Sequence, residues 1–120
     1  MANILVVDDN LLIRSTLNRI LTELGHRVVG EATNGNEAIL KYEQTQPDLV
    51  TMDITMPDLD GIDAVRELIK RYPNAKIIMI SAISQRELVF QAVMSGAKHY
   101  IIKPIKAEKV AEVVNLCLKM

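Results

Sequence analysis

The sequence predicts an α/β fold, with one doubly wound, five-stranded parallel sheet and five helices in a single domain over residues 1–120. Three observations carry this expectation. Short apolar runs alternate with stretches of helical periodicity along the whole chain. The runs are continuously apolar, as strands buried on both faces are. Charged and hydroxyl side chains stand where the runs stop, at the carboxyl ends where open α/β sheets gather their chemistry.

The first run, Ile4-Leu5-Val6-Val7, stops at Asp8 and Asp9. Ile13, Leu17, Ile20, Leu21 and Leu24 then recur at i, i+4, i+7, i+8 and i+11, a helical stripe that ends at Gly25. Arg27 to Ala32 reads as a second strand, Asn34-Gly35 as a turn, and Asn36 to about Thr45 as a second helix ended by Pro47. The third strand, Leu49-Val50-Thr51-Met52, runs into Asp53, and Gly61 to Tyr72 is a third helix closed by Pro73-Asn74. Lys76 to Ser81 is a fourth strand and Gln85 to Ser95 a fourth helix stopped by Gly96. Tyr100 to Lys103 is the fifth strand, and the last helix runs from about Ala107 to Leu118. Such alternation implies right-handed crossovers with helices on both faces of the sheet.

Composition narrows the function. At 120 residues and 49% hydrophobic, the chain has enough material for one substantial core and too little for two. A net charge of -1 gives no general basic field, so direct nucleic-acid binding is not expected. No apolar run approaches the roughly 20 residues of a membrane span, and no basic segment precedes an apolar one at the start, so the expectation is a cytoplasmic protein with no membrane contact. Cys117 is the single cysteine, which excludes an intramolecular disulfide, and Leu116 and Leu118 beside it favour a packed thiol.

The chemistry lies at the strand ends. If the strand order reverses between the first and third strands, Asp8, Asp9 and Asp53 open into one crevice. Three carboxylates there repel one another unless a cation intervenes. Mg²⁺ suits, because it takes hard oxygen ligands and keeps room for water and phosphate oxygens. Asp53 has a second possible role as a nucleophile toward phosphorus, provided a metal and a lysine neutralise the transferred oxygens. Lys103 and the Ser81 hydroxyl, ending neighbouring strands, are placed to contact those oxygens.

Four motifs in order, Asp8-Asp9, Asp53 with Ile54-Thr55-Met56-Pro57 and Asp60-Gly61, Ser81-Ala82, and Lys103-Pro104, resemble the receiver domains of two-component response regulators, over nearly the whole chain. The resemblance implies the flavodoxin-like order 2-1-3-4-5, which spacing alone does not give. It also implies that Asp53 accepts a phosphoryl group from a sensor histidine kinase or phosphotransfer protein, that Asp8 and Asp9 hold Mg²⁺, and that Thr55 adds its backbone carbonyl. Ser81 and Lys103 would bind the phosphoryl oxygens, Lys103-Pro104 would be a cis bond, and Tyr100 would be the switch aromatic that moves inward. On this reading the protein is a signalling switch that catalyses only its own phosphorylation and dephosphorylation. It would act on a downstream protein target as a stand-alone, chemotaxis-type or phosphorelay regulator, a monomer or weak dimer.

Departures from the family pattern bear on the subgroup. Ile105 stands where phenylalanine is frequent, and Lys98-His99 where DNA-binding members often carry two acids; both weaken the case for that subgroup's dimer surface, and a receiver cut from a DNA-binding regulator stays the alternative. A magnesium phosphohydrolase of the haloacid dehalogenase type wants Asp-x-Asp-x-Thr after its first strand, and this strand ends Asp8-Asp9-Asn10. A flavin carrier wants a Ser-, Thr- and Gly-rich first loop for its phosphate, which Asp8 and Asp9 would repel.

Other polar residues read more simply. Asp58, Asp60 and Asp63 lie in a Pro/Gly-bearing loop and are turn and helix-start residues. His26 and His99 lack a second histidine at ligand spacing and read as surface residues. Met52, Met56, Met79 and Met94 are core filler on composition alone. On the fourth helix Leu88, Val89, Ala92 and Val93 suffice to cover the sheet, so Phe90 and Met94 are surplus. With Tyr100, Lys106, Val113 and Leu116 they form a candidate partner surface.

Overall fold

The computed structural model describes residues 1–120. Strands and helices alternate strictly: β1 (Asn3–Val7), α1 (Leu11–Glu23), β2 (Arg27–Ala32), α2 (Gly35–Thr45), β3 (Leu49–Met52), α3 (Gly61–Arg71), β4 (Ile77–Ser81), α4 (Arg86–Met94), β5 (His99–Ile102) and α5 (Ala107–Leu118). Every strand pairing is parallel, and the order across the sheet is β2-β1-β3-β4-β5. Every expected element is present, with ends shifted by a residue or two. Tyr72 and Ser95, expected inside helices, are the caps that follow α3 and α4.

The period of two along each strand divides the core. Leu5, Val7, Val50, Met52, Ile77 and Met79 join residues of α2, α3 and α4 on one face. Ile4, Val6, Leu49, Ile78, Ile80 and Ile101 join α1 and α5 on the other. Both faces are covered, so the central strands β1, β3 and β4 are apolar at successive positions, apart from the buried Thr51 of β3 and the terminal Asn3 and Ser81. The edge strands β2 and β5 are only partly buried.

Side-chain caps fix three of the helix starts. Asn10, Asn34 and Asp60 accept from the N–H groups of Ile13, Glu37 and Asp63. Asp60 is thereby used as a cap, Asp63 pairs with Arg66, and Asp58 takes a left-handed turn conformation at φ 67°. All three acids are structural, as their loop context suggested. His26 and His99 are half-buried and not simply surface residues: Nδ1 of His26 accepts from the Ala2 N–H, and Nδ1 of His99 from the Tyr100 N–H.

Several burial expectations need correction. Leu24 lies outside the α1 stripe: it is the exposed C-cap, and the buried stripe ends at Leu21. Val93 is 45% exposed, because α4 lies over the edge of the sheet and only Ala92 of that helix is fully buried. Met94 is 69% exposed and is not core filler, whereas Met52, Met56 and Met79 are buried. Val113 is buried and is not a surface position: Val110, Val113, Val114 and Cys117 follow the i, i+3, i+4, i+7 spacing of one helix face, and α5 lays that face on the sheet. Cys117 is a packed thiol.

Gly61 is required where α3 meets the loop after β3. Its N–H donates to the Ile54 carbonyl at 2.8 Å, and a Cβ placed there would collide with the Asp53 carbonyl oxygen. The obstacle is backbone, so no side-chain rotation relieves it. Gly61→Ala is expected to lower stability by about 3 kcal/mol, the upper part of the usual overpacking range, as measured by urea unfolding; a change under about 1 kcal/mol would mean the loop yields easily.

Candidate functional site

The order reverses at β1 and β3, and the crevice at their carboxyl ends gathers the polar residues. Counting by twos past Val6, Thr51 and Ile101 arrives at Asp8, Asp53 and Lys103, so one alternation orders the core below and sets the charges above. Each of Asp8, Asp9 and Asp53 offers a carboxylate oxygen, and these oxygens lie within 4.8 Å of one another. Asp8 and Asp53 are buried, and Asp9 is exposed.

Lys103 is the cation among them. Its Nζ lies 2.9 Å from Oδ2 of Asp8 and 3.5 Å from Oδ2 of Asp53. The other oxygen of each acid takes a backbone donor: Asn10 N–H to Asp8 Oδ1 at 2.9 Å, and Ile54 N–H to Asp53 Oδ1 at 2.8 Å. Burial, and then the neighbouring Asp8 carboxylate, push the Asp53 carboxyl above its ordinary value; Lys103, Ser81 and the Ile54 N–H offset this only in part. One ammonium faces three carboxylates, and all the donors are hard oxygens. That donor set fits Mg²⁺ and not a soft, thiol- or imidazole-seeking metal.

The remaining expected residues lie around this cluster. Ser81 is buried at the end of β4, and its Oγ accepts from the Ile83 N–H at 3.3 Å. Thr55 is exposed, two positions beyond Asp53. The Lys103-Pro104 bond is cis. Tyr100 is half-buried on β5, and its hydroxyl donates to the Ile83 carbonyl at 2.6 Å. Of the residues expected on a partner surface, Phe90, Met94, Lys106 and Leu116 are exposed, Tyr100 is half-buried and Val113 is buried; Val93 and Ile102 are also exposed.

Sequence reasoning passed over Arg14 and Glu31. Nη1 of Arg14 donates to the Asp8 carbonyl at 2.7 Å, and its Nε to Oε1 of Glu31 at 3.0 Å. The available signal was Glu31 itself, an acid interrupting the otherwise uncharged stretch Val28 to Ala32.

Residues 4–115 match the family model of the response regulator receiver domain. A chemotaxis protein CheY of Thermotoga maritima is 50% identical over 112 residues, 93% of each chain. The CheY of Bacillus subtilis is 47% identical over 115 residues, 96% of each chain. Among solved structures, a chain of the CheX-CheY-BeF3-Mg+2 complex from Borrelia burgdorferi superposes with a TM-score of 0.91 at 38% identity, over 93% of this chain and 85% of that one.

The raised Asp53 carboxyl gives a signed stability prediction. A carboxyl whose folded value lies above its unfolded one stabilises the fold below the unfolded value, and that contribution is lost as pH rises through the folded value. At neutral pH the ionised Asp53 therefore opposes folding. Metal-free Asp53→Asn should melt several degrees above the parent at pH 7, with the gap closing below about pH 4, where both side chains are neutral. Thermal melts without magnesium measure it, and a lower melting point for Asp53→Asn at pH 7 would reverse the sign.

Proposed function

This chain belongs to the response regulator receiver domain family and is closely similar to the chemotaxis CheY proteins, and from that premise we propose that it is a signalling switch phosphorylated on Asp53. The observation that carries the proposal is the setting of Asp53. It is a buried carboxylate with one oxygen held by the Ile54 N–H and the other 3.5 Å from the Lys103 ammonium, beside two further acids.

In the proposed reaction an Asp53 oxygen attacks the phosphorus of a phosphohistidine on a sensor kinase or phosphotransfer protein. The P–N bond breaks, its electron pair stays with the imidazole, and that ring takes up a proton. Water later attacks the phosphorus of the aspartyl phosphate, the P–O bond to Asp53 breaks with its electron pair on the carboxylate, and inorganic phosphate leaves with the water's oxygen. Lys103 and Ser81 bind the transferred oxygens, and the Ile54 N–H orients the nucleophile. Asp8, Asp9, Asp53 and the Thr55 carbonyl would hold Mg²⁺, which supplies neutralisation of the phosphoryl charge.

The switch residues are Ser81, Tyr100, Lys103 and Pro104. Modification of Asp53 draws on Lys103 and Ser81, and Ile83, bonded to both Ser81 and Tyr100, carries the change toward α4. The downstream target is a protein, a reading supported by the Borrelia complex of CheX with CheY. Its docking face is Phe90, Val93, Met94 and Ile102 with Tyr100, Lys106 and Leu116.

Two experiments test this. Incubated with acetyl phosphate and magnesium, the parent should gain one phosphoryl group by intact mass and Asp53→Asn none. Lys103→Arg should still gain it but show a smaller spectral change, because a planar fork does not replace a compact ammonium. Phosphoryl gain on the same peptide of Asp53→Asn would sink the assignment. Phe90→Ala should weaken target binding while costing less than about 0.5 kcal/mol, the range of surface substitutions; a loss near the roughly 3–5 kcal/mol of a core phenylalanine would place Phe90 in the core.

A further inference from the structure

We infer that Arg14 is a positioning residue for the magnesium site, acting through the backbone of the Asp8-Asp9 turn; the inference rests on the proposal that these acids hold Mg²⁺. Arg14 lies in the second turn of α1, after the Asn10 cap, with only 12% of its side chain exposed. Its guanidinium does not reach a carboxylate of the acidic cluster. It donates instead to the Asp8 main-chain carbonyl at 2.7 Å, while Nε is held by Glu31 of β2 at 3.0 Å.

The consequence follows from peptide geometry. The Asp8 carbonyl belongs to the planar unit that also carries the Asp9 N–H and Cα, so fixing its direction fixes where Asp9 starts. Asp8 is otherwise well anchored: its N–H donates to the Ala32 carbonyl at 3.0 Å, and its carboxylate takes Asn10 N–H and Lys103. Asp9 is exposed, so the peptide held by Arg14 is what directs it. Two donors in one rigid plane, aimed at Asp8 and at Glu31, are within the reach of arginine and not of a lysine ammonium. Outer partners of this kind set metal affinity by orienting the ligands.

Charge and positioning predict opposite signs, which makes the inference testable. Removing Arg14 deletes a cation near a cation site and leaves Glu31 unpaired, so electrostatics alone would tighten Mg²⁺ binding. Loss of positioning loosens it. Isothermal titration of Mg²⁺ into the parent, Arg14→Ala, Arg14→Lys and Asp9→Ala should give weakening of about tenfold or more for Arg14→Ala, within the range for outer-partner mutations. Arg14→Lys should be weakened nearly as much although its charge is kept, and it serves alone if Arg14→Ala does not fold. Metal-free melts show whether each variant is folded at the titration temperature. Affinity in a folded Arg14→Lys equal to or tighter than the parent's would overturn the inference. If the parent binds no Mg²⁺, or Asp9→Ala binds as the parent does, the magnesium reading itself fails and the inference with it.

Discussion

Three carboxylates share a crevice with a single ammonium, and the ion pair of Lys103 with Asp8 is the contact that makes this tolerable. Asp8 is almost wholly buried, and a buried charge without a partner is among the costliest features a fold can carry. Its partner comes from the far edge of the sheet: β5 is separated from β1 by β3 and β4, so the lysine stem crosses the ends of two strands. Ser81, a small side chain, ends the intervening strand β4. The pair thus ties the edge strand to the centre of the sheet at the end where the chemistry lies. Asp53, at 3.5 Å from the same ammonium, receives the weaker share, consistent with its raised carboxyl.

The packing of the two sheet faces separates rigid from adaptable parts. α1 and α5 bury unbroken stripes against β1, β3 and β4, and Arg14 ties α1 to the acidic turn. On the opposite side α2 and α3 are similarly committed, but α4 contributes one fully buried residue and carries Phe90, Val93 and Met94 into solvent. An element with little buried apolar surface moves at low cost. It is also the element that follows the Ser81 loop, so under the proposed function a change at Asp53 would reach the least constrained helix first.

Much of this was legible in the sequence, for definite reasons. Short, largely apolar runs at β1, β3 and β4 read as strands covered on both sides, and a polar side chain at the end of each, Asp8, Asp53 and Ser81, marks the end of the sheet where the site lies. The motif order then supplied the topology. Burial on the helices was less legible, because an apolar side chain declares a preference and not a neighbour. Val113 and Val93 are alike in sequence context, yet α5 crosses the sheet and buries one while α4 overhangs its edge and exposes the other. Arg14 was invisible for a different reason: it acts on a backbone carbonyl, and no side-chain motif encodes that partner.

The hydrogen bond of Tyr100 bears on how the proposed switch would work. Its hydroxyl is held by one hydrogen bond to the Ile83 carbonyl, and a single neutral hydrogen bond contributes only about 0.5–1.5 kcal/mol net. The ring is half-buried, so packing adds a modest further increment. A preference of about 1 kcal/mol corresponds to roughly a fivefold ratio of populations. A contact of that strength does not by itself fix the ring in one position. Under the proposed function, phosphorylation would bias the loop carrying Ile83, because Ile83 bonds Ser81 through its N–H and Tyr100 through its carbonyl. Drawing Ser81 toward a phosphoryl oxygen removes the acceptor of that N–H, and the loop must settle around a new anchor. On the proposed function the signal would be the geometry of the Ser81-Ile83 segment, with Tyr100 locking it: a shift between two states, which requires only that the modified site favour one of them.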